Sequence, residues 1–281
     1  MGKSMAYNLM KAGYELVVYN RTKTRADDLL AAGAKWADTV GEVAAAAKVV
    51  ITMVGLPSDV EEVYLQERGV LANAKPGTYV IDMTTSTPSL AQKIAELAKK
   101  QGVHALDAPV SGGDVGARDG KLSIMVGGEQ ADFDAVLPVF QAMGANIVLQ
   151  GKAGSGQYTK MANQIAIASN MLGVAEAMAY AAKAGLDPLR VLQSIGSGAA
   201  GSWSLNNLAP RMIQGDFRPG FYIKHFLKDM KIAIDSAQEL GLSTPGLVLA
   251  NSMYLRLAEL GEELSGTQAI YKLYSGSHSE A

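Results

Sequence analysis

The sequence contains no cysteine. Disulfides, thiolate nucleophiles and cysteine metal sites are therefore excluded, and a cytoplasmic setting is expected. Histidine is scarce as well: His104, His225 and His278 are too scattered to suggest a metal cluster or a histidine-based triad, so each reads as a surface or packing residue. Charge of one sign is also lacking. A formal net charge of -2, with both signs interspersed, gives no general attraction to nucleic acid or to an anionic membrane. The longest apolar stretch, residues 165–185, is interrupted by Asn170, Glu176 and Lys183 and is expected to be a buried helix rather than a membrane span. No basic segment followed by an apolar one opens the chain, so no secretory signal is expected.

What is present is a composition for packing: 48% hydrophobic and 19% charged residues over 281 positions, enough for two modest domains, each with its own core. Up to about residue 149, short β-branched runs alternate with helical segments. The runs are ELVVY (15–19), VVITMV (49–54), YVIDM (79–83), HALDA (104–108), SIMV (123–126) and NIVL (146–149). Between them lie helix-length stretches such as 25–32 and 89–101, the latter opened by Pro88 and closed by Gly102. This alternation predicts a Rossmann-like, doubly wound parallel sheet over residues 1–152. After Gly151–Gly156 strand signals vanish, and residues 153–281 are expected to form an all-α domain, beginning with a long helix over 158–184. Shorter helices follow at 188–195, 205–214, 226–240 and 245–260, with Pro210 expected to kink or split the second of them.

The first residues read as the back half of a βαβ unit. A helix runs from Met1-Gly2 to Gly13 and into the run 15–19, but only the last glycine of a G-x-G-x-x-G turn, Gly2, is present, and we expect the sequence to start at an internal methionine. Met1 and Gly2 then lie where a dinucleotide's pyrophosphate would bind. Asn20 stands 18 residues beyond Gly2, near the position that reads the adenosine ribose. Asn20-Arg21-Thr22 carries no carboxylate to pair with the 2′-hydroxyl of NAD, and Arg21 offers a planar cationic fork to a 2′-phosphate, so NADP is favoured over NAD.

Three motifs then resemble the β-hydroxyacid dehydrogenase family, which includes 3-hydroxyisobutyrate dehydrogenase and semialdehyde reductases. They are Asp107-Ala108-Pro109-Val110-Ser111-Gly112-Gly113, Gly154-Ser155-Gly156-Gln157-Tyr158-Thr159-Lys160-Met161-Ala162-Asn163-Gln164, and Lys228-Asp229 after Phe221. The resemblance spans almost the whole chain. It implies NADP-linked interconversion of a small hydroxy acid and its aldehyde or keto acid.

The chemistry of these residue types agrees with that implication. Ser111, Gly112 and Gly113 follow a strand end, where open α/β sheets bind ligands, and exposed backbone N–H groups with one hydroxyl suit a substrate carboxylate. Lys160, Asn163 and Gln164 stand at i, i+3 and i+4, on one face of a helix whose next residues, Met161, Ala162 and 165–168, are apolar or small. An ammonium there stabilises charge developing on a carbonyl oxygen and gives it a proton; in the oxidative direction the neutral amine accepts one.

The remaining assignments come from the resemblance alone. It places Lys228 at the nicotinamide end of the cofactor, Asp229 and Gln164 on the substrate side, and Phe221 as an apolar wall. Ser202 and Trp203 would lie near the acyl group. It places Met53, Val54 and Pro57 over the adenosine and Thr85 near the nicotinamide ribose. Family members often carry two asparagines where this chain has Asn163 and Gln164, which leaves the division of labour between these two open. Apart from the resemblance, a homodimer or homotetramer is expected, because the apolar helices of residues 153–281 exceed what one small domain need bury. An imine reductase-like enzyme, which generally lacks the catalytic lysine, and a non-catalytic oligomerisation module remain the alternatives.

Overall fold

A computed structural model describes residues 1–275; His278 lies outside them. The chain divides into two compact units, Met1–Lys160 and the residues from Met161 onward.

The first unit begins with α1 (Gly2–Lys11), β1 (Val17–Val18), α2 (Asp27–Ala31), β2 (Lys35–Trp36), α3 (Val40–Ala46), β3 (Val49–Thr52), α4 (Pro57–Leu65), α5 (Val70–Asn73), β4 (Tyr79–Asp82) and α6 (Pro88–Lys100). It continues through β5 (His104–Asp107), β6 (Val110–Ser111), α7 (Gly113–Arg118), β7 (Leu122–Gly127), α8 (Gln130–Gln141) and β8 (Gly144–Gly151), and holds the start of α9 (Ser155–Lys183). Local chemistry sets several of these boundaries. The Thr87 hydroxyl accepts from Leu90 N at 3.2 Å and Pro88 takes the first helical position of α6. Gly102, at φ +69°, turns the chain just beyond the end of that helix.

All six runs read as strands carry strand structure, but the sheet is not uniformly parallel. The strands β3, β4 and β5 are parallel neighbours and β8 lies parallel to β7, whereas β7 runs antiparallel to β5 and β6. Only residues 112–121 separate β6 from β7. A parallel return needs a crossover of about a dozen residues or more, so this short connection reverses the chain instead. The pair β1–β2 forms a second, two-stranded parallel sheet.

Side chains alternate between the two faces of the main sheet and feed two cores. Ile81 and Leu106 join Met5, Leu9, Phe133 and Phe140 from α1 and α8. Val80 and Ala105 pack with Val60, Tyr64, Leu90 and Ile94 from α4 and α6. Helices thus cover both faces, as a doubly wound fold requires, and this explains the near-continuous burial of β4 and β7.

The second unit holds the rest of α9, followed by α10 (Pro188–Ile195), α11 (Trp203–Asn207), α12 (Ala209–Ile213), α13 (Ile223–Glu239), α14 (Pro245–Glu259) and a 3₁₀ helix, Thr267–Leu273. The expected helix over 205–214 is split into α11 and α12 at Leu208, two residues before Pro210. Among the described residues α9 is long and apolar enough to cross a membrane. Its Ala168, Met171, Leu172, Ala175 and Met178 instead form the centre of this unit's core, with Phe226, Met230 and Tyr254.

Composition changes at Gly151–Gly156, whereas packing changes between Lys160 and Met161, because the first turn of α9 is hydrogen-bonded into the first unit. In the second unit the fully buried Tyr254 hydroxyl donates to the Thr267 carbonyl at 2.8 Å and tethers the 3₁₀ helix to α14. Tyr254→Phe should leave that carbonyl without its donor and destabilise this unit by about 1–3 kcal/mol, read as a lower denaturant midpoint at unchanged slope.

Candidate active site

The register of the main sheet aligns three polar residues at its carboxyl edge: Thr52 pairs with Asp82, and Asp82 with Asp107. All three are buried. Thr52 Oγ1 donates to the Tyr64 hydroxyl at 3.1 Å, and Asp82 Oδ1 accepts from Thr84 N at 3.0 Å. Burial, and then the charge of Asp82, pushes the Tyr64 hydroxyl well above its ordinary pKa. Asp107 reaches the start of α9. Its Oδ1 accepts from Gly154 N at 2.7 Å and its Oδ2 from Gln157 N at 2.8 Å.

Gln157 has no exposed surface, and its amide is bonded at both ends: Nε2 donates to the Thr84 carbonyl at 2.8 Å and Oε1 accepts from Ser86 N at 2.9 Å. One turn further along the helix is Lys160, only 6% exposed. A solvated surface lysine is thereby ruled out.

Burial raises the Asp107 carboxyl above its ordinary value, against the pull of the N–H groups of Gly154, Gln157 and Gly156. A raised folded value favours the protonated form. The stability this gives is fully present below the unfolded pKa and is lost as pH rises through the folded one, so at neutral pH the anion is held at a cost.

Apart from Lys228, which lies on α13 in the second unit, the residues assigned to the cofactor sit at helix and strand ends of the first unit. A Cβ placed on Gly2, at the start of α1, would lie 3.6 Å from the Met53 Cβ, so these two candidates are neighbours. Val54 N donates to Thr84 Oγ1 at 3.0 Å, which ties the segment after β3 to the one carrying Thr85. Pro57 occupies the first position of α4, where Leu56 N donates to Asp59 Oδ2 at 2.9 Å. Asn20, Arg21 and Thr22 form an exposed loop after β1, in which Asn20 Nδ2 donates to the Thr22 carbonyl at 2.7 Å.

Ser111 ends β6 opposite Ser123 of β7. Gly112 and Gly113 follow with φ of +125° and +62°, backbone conformations that a side chain would strain, so this turn needs glycine at both positions.

In the second unit, Asn163, Gln164, Asp229 and Lys228 form one chain of contacts. Asn163 Nδ2 donates to Gln164 Oε1 at 2.7 Å, and Gln164 Nε2 donates to Asp229 Oδ2 at 2.6 Å. Lys228 Nζ lies 2.9 Å from Asp229 Oδ1 as an ion pair, with Asp229 buried. A carboxylate only accepts, so Gln164 must turn its nitrogen toward Asp229 and its oxygen toward Asn163. Its side chain is fully buried with both amide ends bonded inside this unit, which makes Gln164 a bridge rather than the substrate contact expected from the sequence.

Phe221 is half-buried and stacks at a tilt on Phe226, centroids 5.7 Å apart. Ser202 spends its hydroxyl capping α11 by accepting from Leu205 N at 3.0 Å, and Trp203 is 66% exposed; the acyl-group role expected for this pair draws no support from either position. His104 packs against the Tyr79 ring and lies 2.7 Å from Asp132, a packing residue as expected.

Asp107 and Gln157 are functional candidates that the residue-by-residue reading passed over, although both stood inside the quoted motifs. Among the described residues no cluster of acidic and histidine side chains could hold a metal. The chemically active groups of the two units are a buried ammonium, carboxamides and buried carboxylates. Of these, an ammonium or a carboxamide can donate to a carboxylate or carbonyl, and the ammonium can also move a proton.

Residues 1–151 match the family description "NAD binding domain of 6-phosphogluconate dehydrogenase", and residues 154–274 match "NAD-binding of NADP-dependent 3-hydroxyisobutyrate dehydrogenase". The chain is 62% identical over 274 residues to an uncharacterized oxidoreductase, YkwC, of Bacillus subtilis, covering 98% of this chain and 95% of that protein. It is 41% identical to a 2-hydroxy-3-oxopropionate reductase of Escherichia coli, covering 93% and 89%. A solved structure of 3-hydroxyisobutyrate dehydrogenase from Mycobacterium tuberculosis with L-serine superposes with a TM-score of 0.89 at 31% identity, covering 97% and 95%. With both units matched, the chain belongs to the β-hydroxyacid dehydrogenase family of NAD(P)-dependent oxidoreductases.

Proposed function

We propose that this protein interconverts a small hydroxy acid and its aldehyde or keto acid with NADP(H), using Lys160 as the proton donor in reduction and the acceptor in oxidation. The observation that carries the reading is the burial of Lys160 at the polar end of α9, where an ammonium would be placed only for a partner.

The donor set fits a dinucleotide. Gly2 at a helix start, the segments after β3 and β4, and the loop after β1 are the fold positions at which Rossmann-like domains take such a ligand, and the contacts of Gly2 with Met53 and of Val54 with Thr84 join three of them. When bound, the cofactor supplies a hydride to the substrate carbonyl carbon. As that bond forms, the carbonyl π electrons move onto oxygen, and Lys160 stabilises this charge and passes its proton to it. The neutral amine left behind regains a proton from water. In the first unit Ser111 and the Gly112-Gly113 turn are the donors we assign to the substrate carboxylate; in the second unit we assign Asn163 to the reacting oxygen, Phe221 to an apolar wall, and Asp229, fixed by Gln164, to substrate binding. Lys228 serves the nicotinamide end.

The preference for NADP rests on the exposed Arg21, whose guanidinium suits the 2′-phosphate. A homodimer or homotetramer is also part of this reading. The support is that the second unit leaves Tyr180, Leu186, Leu189, Leu240 and Leu242 exposed and that α10 buries no residue within the chain, an apolar surface suited to subunit contact. Sedimentation should show a species of at least twice the chain mass; a monomer at micromolar concentration would count against it.

The decisive assay is a panel of small semialdehydes and glyoxylate with NADPH and NADH. Lys160→Met should lower kcat by about 10²- to 10⁴-fold while leaving the dissociation constant for NADPH nearly unchanged. Undiminished turnover in that variant would end the mechanism. Arg21→Ala should raise KM for NADPH by roughly tenfold or more with little effect on NADH, the loss expected for a charge-assisted hydrogen bond.

A further inference from the structure

The role given to Lys160 demands that its ammonium be held to within a fraction of an ångström, since proton transfer and charge stabilisation both fall away with small displacements. Lysine is a poor group for such work by itself, having four rotatable bonds on a flexible stem. Its Cα, at least, must be fixed. In most helices that is left to packing, but the first turn of α9 is fixed by directed bonds from two separate strand ends.

One set comes from Asp107, at the end of β5. Its two oxygens take the N–H groups of Gly154 and Gln157, which straddle the helix start at Ser155. The approach is as close as backbone allows. A Cβ on Gly156 would lie 2.6 Å from the Asp107 carbonyl oxygen and 2.8 Å from its Oδ2, so this helix start can seat against the strand only with glycine there. The other set comes from the Gln157 side chain, which spans from the Thr84 carbonyl to Ser86 N. Those two groups flank Thr85, the residue assigned to the nicotinamide ribose. Thr84 is itself anchored on both sides, by its N–H to Asp82 Oδ1 and by its hydroxyl from Val54 N. A single buried amide thus links the cofactor segment to the turn that precedes Lys160.

We propose that Asp107 and Gln157 are positioning residues that lock the helix bearing Lys160 in register with the Thr84–Ser86 segment, so that proton donor and hydride donor meet one carbonyl at once. The assignment rests on the reading of Lys160 given above. It also gives a reason for keeping a carboxylate buried at a net cost: a neutral side chain there could not accept from both N–H groups with equal strength.

The test uses the full-length protein with Asp107→Asn and Gln157→Met, near-isosteric changes, and Lys160→Met as control. If the proposal holds, each brace variant loses kcat by roughly tenfold or more while NADPH dissociation and substrate KM stay within about threefold. In Asp107→Asn the alkaline limb of the reductive kcat profile should also move to lower pH, because removing a negative charge near the helix start disfavours the ammonium. Unchanged kcat in both variants overturns it. So does a parallel loss of kcat, cofactor affinity and thermal stability with an unmoved pH profile, which would mark the bonds as merely structural. If Asp107→Asn fails to fold, the kcat-against-KM split in Gln157→Met decides by the same criteria. Lys160→Met keeps the two ideas apart, since full activity in that control sinks the proton-donor reading whatever the brace variants do.

Discussion

A carboxylate shut inside a protein is costly unless donors surround it, and the contact of Asp107 with the N–H groups at the start of α9 meets that condition only in part. Much else in the first unit is arranged around this contact. Gly127 and Gly156 sit where side chains would collide with Asp107 and with neighbouring backbone, Gly154 adopts a φ of +91° that a side chain would strain, and Gln157 fills the space toward Thr84 and Ser86. The edge at which the strands end is therefore a polar seam, with Thr52, Asp82 and Asp107 in consecutive register.

The helix that leaves this seam has two characters. Its first three turns carry Gln157, Lys160, Asn163 and Gln164, while Ala168, Met171, Ala175 and Met178 belong to the core of the second unit. The apolar part makes the polar part possible, because a helix of 29 residues anchored in a core can hold a few polar groups away from water without fraying. In the second unit the sequence Asn163–Gln164–Asp229–Lys228 does for α13 what Asp107 does for β5. It converts a surface-type ion pair, worth little in solvent, into one end of a buried and oriented network.

Much of the architecture was legible because it follows from periodicity and punctuation. Runs of β-branched residues marked the strands, and Pro88 and Gly102 bracketed α6. The reversal of β7 was not legible. Nothing in SIMV distinguishes a parallel strand from an antiparallel one, and the direction is set by the length of the connection through α7. Burial of Lys160 could be inferred from its apolar neighbours, but the role of Gln164 could not. Whether a glutamine faces a ligand or bridges two side chains depends on what lies 65 positions away, here Asp229.

Asp107 and Gln157 were hidden for a related reason. Each stood in a motif whose serine, glycines and lysine drew the chemical reading, since those residues can touch a ligand and a buried acid or amide at a helix start ordinarily supports structure. The geometry changes that weighting. A cap satisfies N–H groups wherever a helix begins, yet the Gln157 side chain reaches past its own helix to the two backbone groups on either side of Thr85. A bond that fixes only a helix end would have no need of that second attachment. Joining the helix start to the segment after β4 constrains two elements relative to each other, and a reaction in which a hydride and a proton must arrive at adjacent atoms depends on such relative placement more than on the stability of either element.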